Sequence, residues 1–364
     1  MPFKTLFTII GALFILAVGG FFIYNSFSTQ DDKVENTDLV PSSLSNQIKA
    51  ISQKPIINPI IDNQKVKYYL SENGQAYESN FDGSGLTQLS TNTLTNLSRA
   101  LWSPDGNKVI HIFNDQGVIK KYLYDFETEQ STRLGQNIDY ISWAPNEDRI
   151  VYQYYGPAEE NNISISNPDG LNWTNIFPTR MKDLIVEWPS TNKIALMTKP
   201  SGLTQGTAYT IDLTNNDFQK VIEPTYGLTT LWSPQANKIL FSETDHQGKN
   251  LKLKIADLGQ STINQLDIIT LPEKCVWSTD NQTVFCAIPE NIPQLTVLPD
   301  DYHKNLTSFS DHFWKINIST GQKTKIFENK GEQIYDAKNL LLSPLEDYLI
   351  FINQTDGLLY SIEI

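Results

Sequence analysis

Cysteine, methionine and histidine are all scarce, at 2, 3 and 4 residues in a chain of 364. Without a C-x-x-C pair or clustered histidines there is no thiol-redox or zinc pattern. No G-x-S-x-G elbow, P-loop, H-E-x-x-H or dinucleotide fingerprint occurs, so no catalytic residue and no cofactor is assigned. The Asp-Gly turns lack the full D-x-D-x-D-G ligand set of a calcium loop. Basic residues are outnumbered, 28 against 41 acidic, for a net charge of −13. An acidic surface disfavours nucleic acid and anionic lipid heads as partners. Long amphipathic helical patterns are also rare. Short β-branched and aromatic runs take their place and point to strands.

Against these absences, 40% of the residues are hydrophobic and 19% charged, enough to bury a large core. One uncharged run, Leu6 to Tyr24, stands apart. Its 19 residues would span ~28 Å as a helix, close to a bilayer's hydrocarbon thickness. A cleaved signal peptide is the rival reading, but its apolar core is usually shorter. Lys4 precedes the run and Asp31 and Asp32 follow it, so the N-terminus is expected in the cytoplasm and the rest outside. The expected organisation is a cytoplasmic end at 1–5, a single-pass signal-anchor helix at 6–24, a polar tether at 25–54 and a domain over 55–364.

The domain repeats itself. LWSPDGNKVI at Leu101 is echoed by SWAPNEDRIV at Ser142, EWPSTNKIAL at Glu187, LWSPQANKIL at Leu231, VWSTDNQTVF at Val276 and LLSPLEDYLI at Leu341. Trp102, Trp143, Trp188, Trp232 and Trp277 mark the same position, with Leu342 in the last copy. A period near 40–45 residues is that of four-stranded propeller blades. In each copy an apolar run ends at the Trp, a Ser-Pro-Asp-Gly-like turn reverses the chain, and a second apolar run returns. The fold class expected is all-β, a seven-bladed β-propeller with a six-bladed ring as the alternative. The last copy lacks an outer strand, which Ile56 to Ile61 is a candidate to supply. The five Trp residues read as packing between blades. Trp173 and Trp314 lie outside the repeat position and are candidates for the surface.

The W-S-P-D-G turn, taken with the x-D-G-S-G-x-x-x-L-S hairpin at Asn80 to Ser90, resembles TolB-like, WD40-like propeller repeats. Similar repeats occur in the propellers of prolyl-oligopeptidase and dipeptidyl-peptidase relatives. The resemblance covers about 55–364 and implies the fold more than an activity. The sequence departs from the peptidases in having no hydrolase domain after the propeller.

Cys275 and Cys286 flank one hairpin whose turn centres between Asp280 and Asn281, so they face each other on adjacent antiparallel strands. That spacing suits a disulfide, with two buried thiols as the alternative. The best functional lead is an insertion at about 287–311, which stretches the last interval to 65 residues. Asp300, Asp301, Tyr302, His303 and Phe309, followed by Trp314, are its candidate binding residues. The histidines at 303 and 312 fit no recognised metal pattern. Asn-x-Ser/Thr triplets are common in so Asn-rich a chain and carry no glycan assignment. The leading expectation is a non-enzymatic, protein- or peptide-binding module of the bacterial cell envelope. An envelope hydrolase or lyase with its site at the pore mouth is the second expectation, and a cell-wall or glycan binder the third.

Overall fold

The computed structural model describes residues 48–329 and 333–364. They form seven four-stranded antiparallel sheets, the blades of a seven-bladed propeller. The innermost strands are Ile56–Asp62, Leu97–Trp102, Ile138–Trp143, Ile185–Ser190, Thr230–Trp232, Cys275–Trp277 and Ala337–Leu342. Each sheet is apolar on both faces and finds cover only in its neighbours. Ile110 and Ile112 of blade 2, for example, pack with Ile141, Trp143 and Ile150 of blade 3. Each such side chain, fully buried, contributes ~1.5–3 kcal/mol.

The repeat turn explains its own sequence. The Ser103 hydroxyl accepts from the Lys108 amide, and the Gly106 amide donates to the Ser103 carbonyl. Gly106 then sits at φ +67°, where a side chain is strained. Other copies accept that strain: Ala236, Asn281 and Glu346 hold the same place at φ +51°, +59° and +58°. Glu346 is kept there by use, because its carboxylate accepts from the Ser278 hydroxyl at 2.8 Å and the Thr279 amide at 3.0 Å in the preceding blade.

The repeat Trp residues are 6–9% exposed and join blades. The indole of Trp102 donates to the Asn58 carbonyl at 2.8 Å, that of Trp143 to Leu101 at 2.8 Å, and that of Trp277 to Leu231 at 3.3 Å. In each case the acceptor lies on the inner strand of the preceding blade. Trp188 differs, for its buried indole nitrogen has no partner among the described residues. Cys275 and Cys286 pair in register with their Cα atoms 4.1 Å apart, and their sulfurs are bonded.

Ring closure departs from expectation. Ile56–Asp62 does not complete the last blade but forms the inner strand of the first. The missing outer strand is Ile48–Ala50, paired with Leu359–Glu363, from a stretch read as tether. The Ser52 hydroxyl fastens it by accepting from the Leu359 amide at 2.9 Å. The expected anchor helix, Leu6 to Tyr24, lies outside the described residues. Among those described, no helix is long and apolar enough to cross a membrane.

Trp143→Phe should cost ~1–2 kcal/mol by stranding the Leu101 carbonyl. Trp188→Phe should cost measurably less, since its indole N–H has no bond to lose. Urea unfolding of the two variants, compared at matched slopes, checks the difference.

Candidate functional site

Inner strands all begin on the face where second strands end. The insertion joins the second and third strands of blade 6, Thr283–Pro289 and Asp311–Asn317, so it rises on that face, around the mouth of the central channel. It also reaches sideways. Asp300 accepts from the Gly202 amide at 2.6 Å and from the Ser201 hydroxyl at 3.2 Å, both in blade 4. The fit there is close: a Cβ on Gly202 would lie 2.3 Å from the Leu298 carbonyl oxygen, so only glycine allows the approach.

A buried charge holds the insertion down. Lys274, which directly precedes the inner strand of blade 6, is fully buried. Its ammonium donates to Asp311 at 2.8 Å, to Asp336 at 2.6 Å and to the Ala337 carbonyl at 2.9 Å. The rings of Tyr302 and Phe309 stack with centroids 5.4 Å apart and close over it, at 4.9 and 5.4 Å from the nitrogen. Burial alone would push this ammonium down, but Asp311, Tyr302 and Asp336 outweigh it and keep it charged. One cation does not balance two carboxylates. Asp311, whose second oxygen has no partner among the described residues, is raised to about 6 by burial, against the pull of Lys274.

Above this plug lies the reactive-looking pair. His303 Nε2 is 2.7 Å from Glu273 Oε1, and the other Glu273 oxygen accepts from the Thr229 hydroxyl at 2.9 Å. Thr229 in turn meets Ser242 at 2.9 Å. The side chains of His303 and Glu273 are 40% and 29% exposed, so both are open to a ligand. Burial works against the imidazolium, yet the bond to Glu273 prevails and the His303 pKa is raised. Lys338, in the first strand of blade 7, is held below its usual value by burial. On the inner strand of blade 4, Glu187 occupies the repeat position of Leu101, Leu231, Val276 and Leu341. Desolvation there pushes its carboxyl up to about 7.

The residues singled out from sequence divide. Asp300–His303 forms a single helical turn. Asp300 docks the insertion, Asp301 accepts from the Val297 amide within it at 2.7 Å, and Tyr302 and Phe309 are interior at 4% and 3% exposure. Trp314 stands in the third strand of blade 6 with the Lys325 ammonium 5.1 Å from its ring. His303 is the most exposed titratable group among them. Sequence reading missed Glu273, Lys274 and Asp336, none of which belongs to a motif. Their one signal was proximity to the starts of inner strands. His111 is buried beside the Tyr69 hydroxyl at 2.8 Å, and His312 accepts from the Asn329 amide.

No protein-family model and no curated protein matches this sequence. Solved structures do. An oligogalacturonate lyase in complex with manganese is 11% identical, with 89% of this chain and 94% of that chain covered and a TM-score of 0.63. A second oligogalacturonate lyase, from Vibrio parahaemolyticus, is 10% identical over 89% and 95%, with a TM-score of 0.61. The β-propeller domain of the Trilobed protease from Pyrococcus furiosus is 14% identical over 85% and 95%, at 0.56. At such identities the shared property is the fold. Prolyl endopeptidases and an acylaminoacyl peptidase also match, this chain covering 51% of each of those chains. The expectation of a non-enzymatic binding module is corrected on the two lyases named first, each of which matches this chain along nearly its whole length. Among the described residues, no three His, Cys, Asp or Glu groups come together to hold a metal.

Lys274→Met leaves two buried carboxylates facing apolar surface and should cost ~3–5 kcal/mol. Denaturant unfolding gives the number, and a loss below ~1 kcal/mol would refute the plug.

Proposed function

We propose that this chain is an enzyme of the lyase or hydrolase class, acting at the channel mouth beside the blade 6 insertion. His303 is its proton-transferring group and Glu273 the carboxylate that orients it. The observation that carries the reading is that Glu273 is held on both oxygens, by His303 and by Thr229. A carboxylate fixed in this way sets the tautomer and direction of an imidazole. With Nε2–H donated to Glu273, Nδ1 is left as the base. Toward a uronate-containing saccharide, the substrate class named for the neighbouring lyases, Nδ1 takes the proton from the carbon beside the carboxylate. The electron pair moves into the new double bond as the glycosidic oxygen leaves and takes up a proton from solvent. Toward a hydrolysable bond, the same nitrogen deprotonates the attacking water. We read the repeats as TolB-like. We also place the enzyme outside the cytoplasm, tethered by Leu6 to Tyr24, a location that suits the Cys275–Cys286 bond because disulfides persist in oxidising compartments.

Oligogalacturonate and a neutral oligosaccharide serve as test substrates, with unsaturated product and new reducing ends followed separately. His303→Gln should lower kcat at least ~10²-fold, as loss of a general base does. The rising limb of the pH profile should lie above pH ~6.5, the ordinary histidine value, because Glu273 raises the His303 pKa. Glu273→Gln should move that limb down. Full activity in His303→Gln sinks the assignment.

A further inference from the structure

Away from the mouth, a pocket of 360 Å³ opens between blades 2 and 3, within the size range of small-ligand sites. Blade 2 contributes Arg133, the last residue of an outer strand exposed along its length. Blade 3 contributes Tyr152, Tyr154, Asp169, Trp173 and Asn175. Trp173 is 62% exposed, whereas the five repeat Trp residues are below 10%. Its indole thus covers no core and presents a face to solvent. No carboxylate pairs with Arg133 among the described residues. Asp169 is in the same pocket, but one of its oxygens is engaged by the Leu171 amide at 2.9 Å, in the turn.

The neighbouring groove makes the contrast. Between blades 1 and 2, a pocket of 470 Å³ is lined by Tyr69, His111, Phe113, Tyr122 and Tyr124 among others. His111 and Phe113 occupy the repeat positions of Tyr152 and Tyr154, as the strand registers show. That groove has no Arg and no carboxylate, and burial pushes its histidine down to about 4, so it is uncharged near neutral pH. A third pocket, between blades 4 and 5, carries Lys193, Lys220, Asp212 and Asp217 but no aromatic ring, so it is the exposed indole beside the charges that sets the blade 2–3 pocket apart.

We infer that this pocket is a binding site for a carboxylate-bearing pyranose, a uronate residue of an acidic saccharide, separate from the channel mouth. Each feature answers one part of such a ligand. An indole face packs on the apolar C–H face of a sugar ring. A guanidinium fork matches a carboxylate in two parallel hydrogen bonds. Asp169 offers its second oxygen and Asn175 its amide N–H to the ring hydroxyls, the Asn175 oxygen being taken by the Ser164 hydroxyl at 2.7 Å, and a simple carboxylic acid would leave both unused. The inference does not depend on the chemistry assigned to His303.

Calorimetric titration of the full chain with digalacturonate and with cellobiose tests it. Digalacturonate should bind at least tenfold more tightly than cellobiose. Trp173→Ala should weaken digalacturonate at least tenfold, and Arg133→Met should bring it down to the neutral sugar's level, both with unchanged thermal midpoints. His303→Gln should bind digalacturonate as the unaltered protein does, even where its turnover is lost. Equal affinity for the two sugars, no saturable binding, indifference to both pocket variants, or loss of binding in His303→Gln would each overturn the proposal. Turnover surviving in His303→Gln would instead refute the mouth assignment and leave this titration standing.

Discussion

Ring closure by three residues from the far end of the chain is the constraint on which the rest depends. Ile48–Ala50 must pair with Leu359–Glu363, and bringing such distant segments together costs on the order of 5 kcal/mol in chain entropy. The return is the last interface. Once closed, Ile350, Ile352 and Leu359 of blade 7 pack with Ile56, Val66 and Tyr68 of blade 1, and no blade is left with an uncovered face. The Trp indoles then act between neighbours: each bond to the preceding inner strand fixes one blade's height against the next.

That rigid ring lets a single insertion be held where it is. The helical turn at Asp300–His303 is too short to be stable in water by itself. It persists because Tyr302 and Phe309 roof a buried ammonium, and because Asp300 reaches blade 4. Burying Lys274 with two aspartates is costly unless every partner is in place, and the excess carboxylate shows in Asp311. The consequence is geometric. His303, next in sequence to the buried Tyr302, is set against Glu273 of the blade 5–6 connection, 30 residues away. A base and its orienting carboxylate meet because a structural plug beneath them holds both segments still.

Much of the architecture was legible from the period of the Trp turns, because each turn needs its own residues and each blade needs the same apolar runs. The seven inner strands begin close to where those runs predict. The first blade has no Trp and stands outside the period. There Asn58, at φ +45°, holds blade 2 as an acceptor, its side-chain oxygen accepting from the Ala100 amide and its carbonyl from the Trp102 indole. Polar composition concealed the closing strand at 48–50, since an outer edge strand needs backbone groups more than apolar side chains.

Local sequence by itself determined the hairpins, the propeller class and the facing cysteines, because turn chemistry and alternation act over a few residues. It also marked the insertion as unusual. Only the tertiary structure decided that Tyr302 and Phe309 face inward, that Lys274 lies beneath them paired with Asp311 and Asp336, and that Glu273 meets His303. It likewise decided that Arg133 and Trp173 share one pocket. Those pairings join residues far apart in the chain, some of them from different blades, and their distance is set by how sheets pack around a ring, a quantity that no stretch of neighbouring residues encodes.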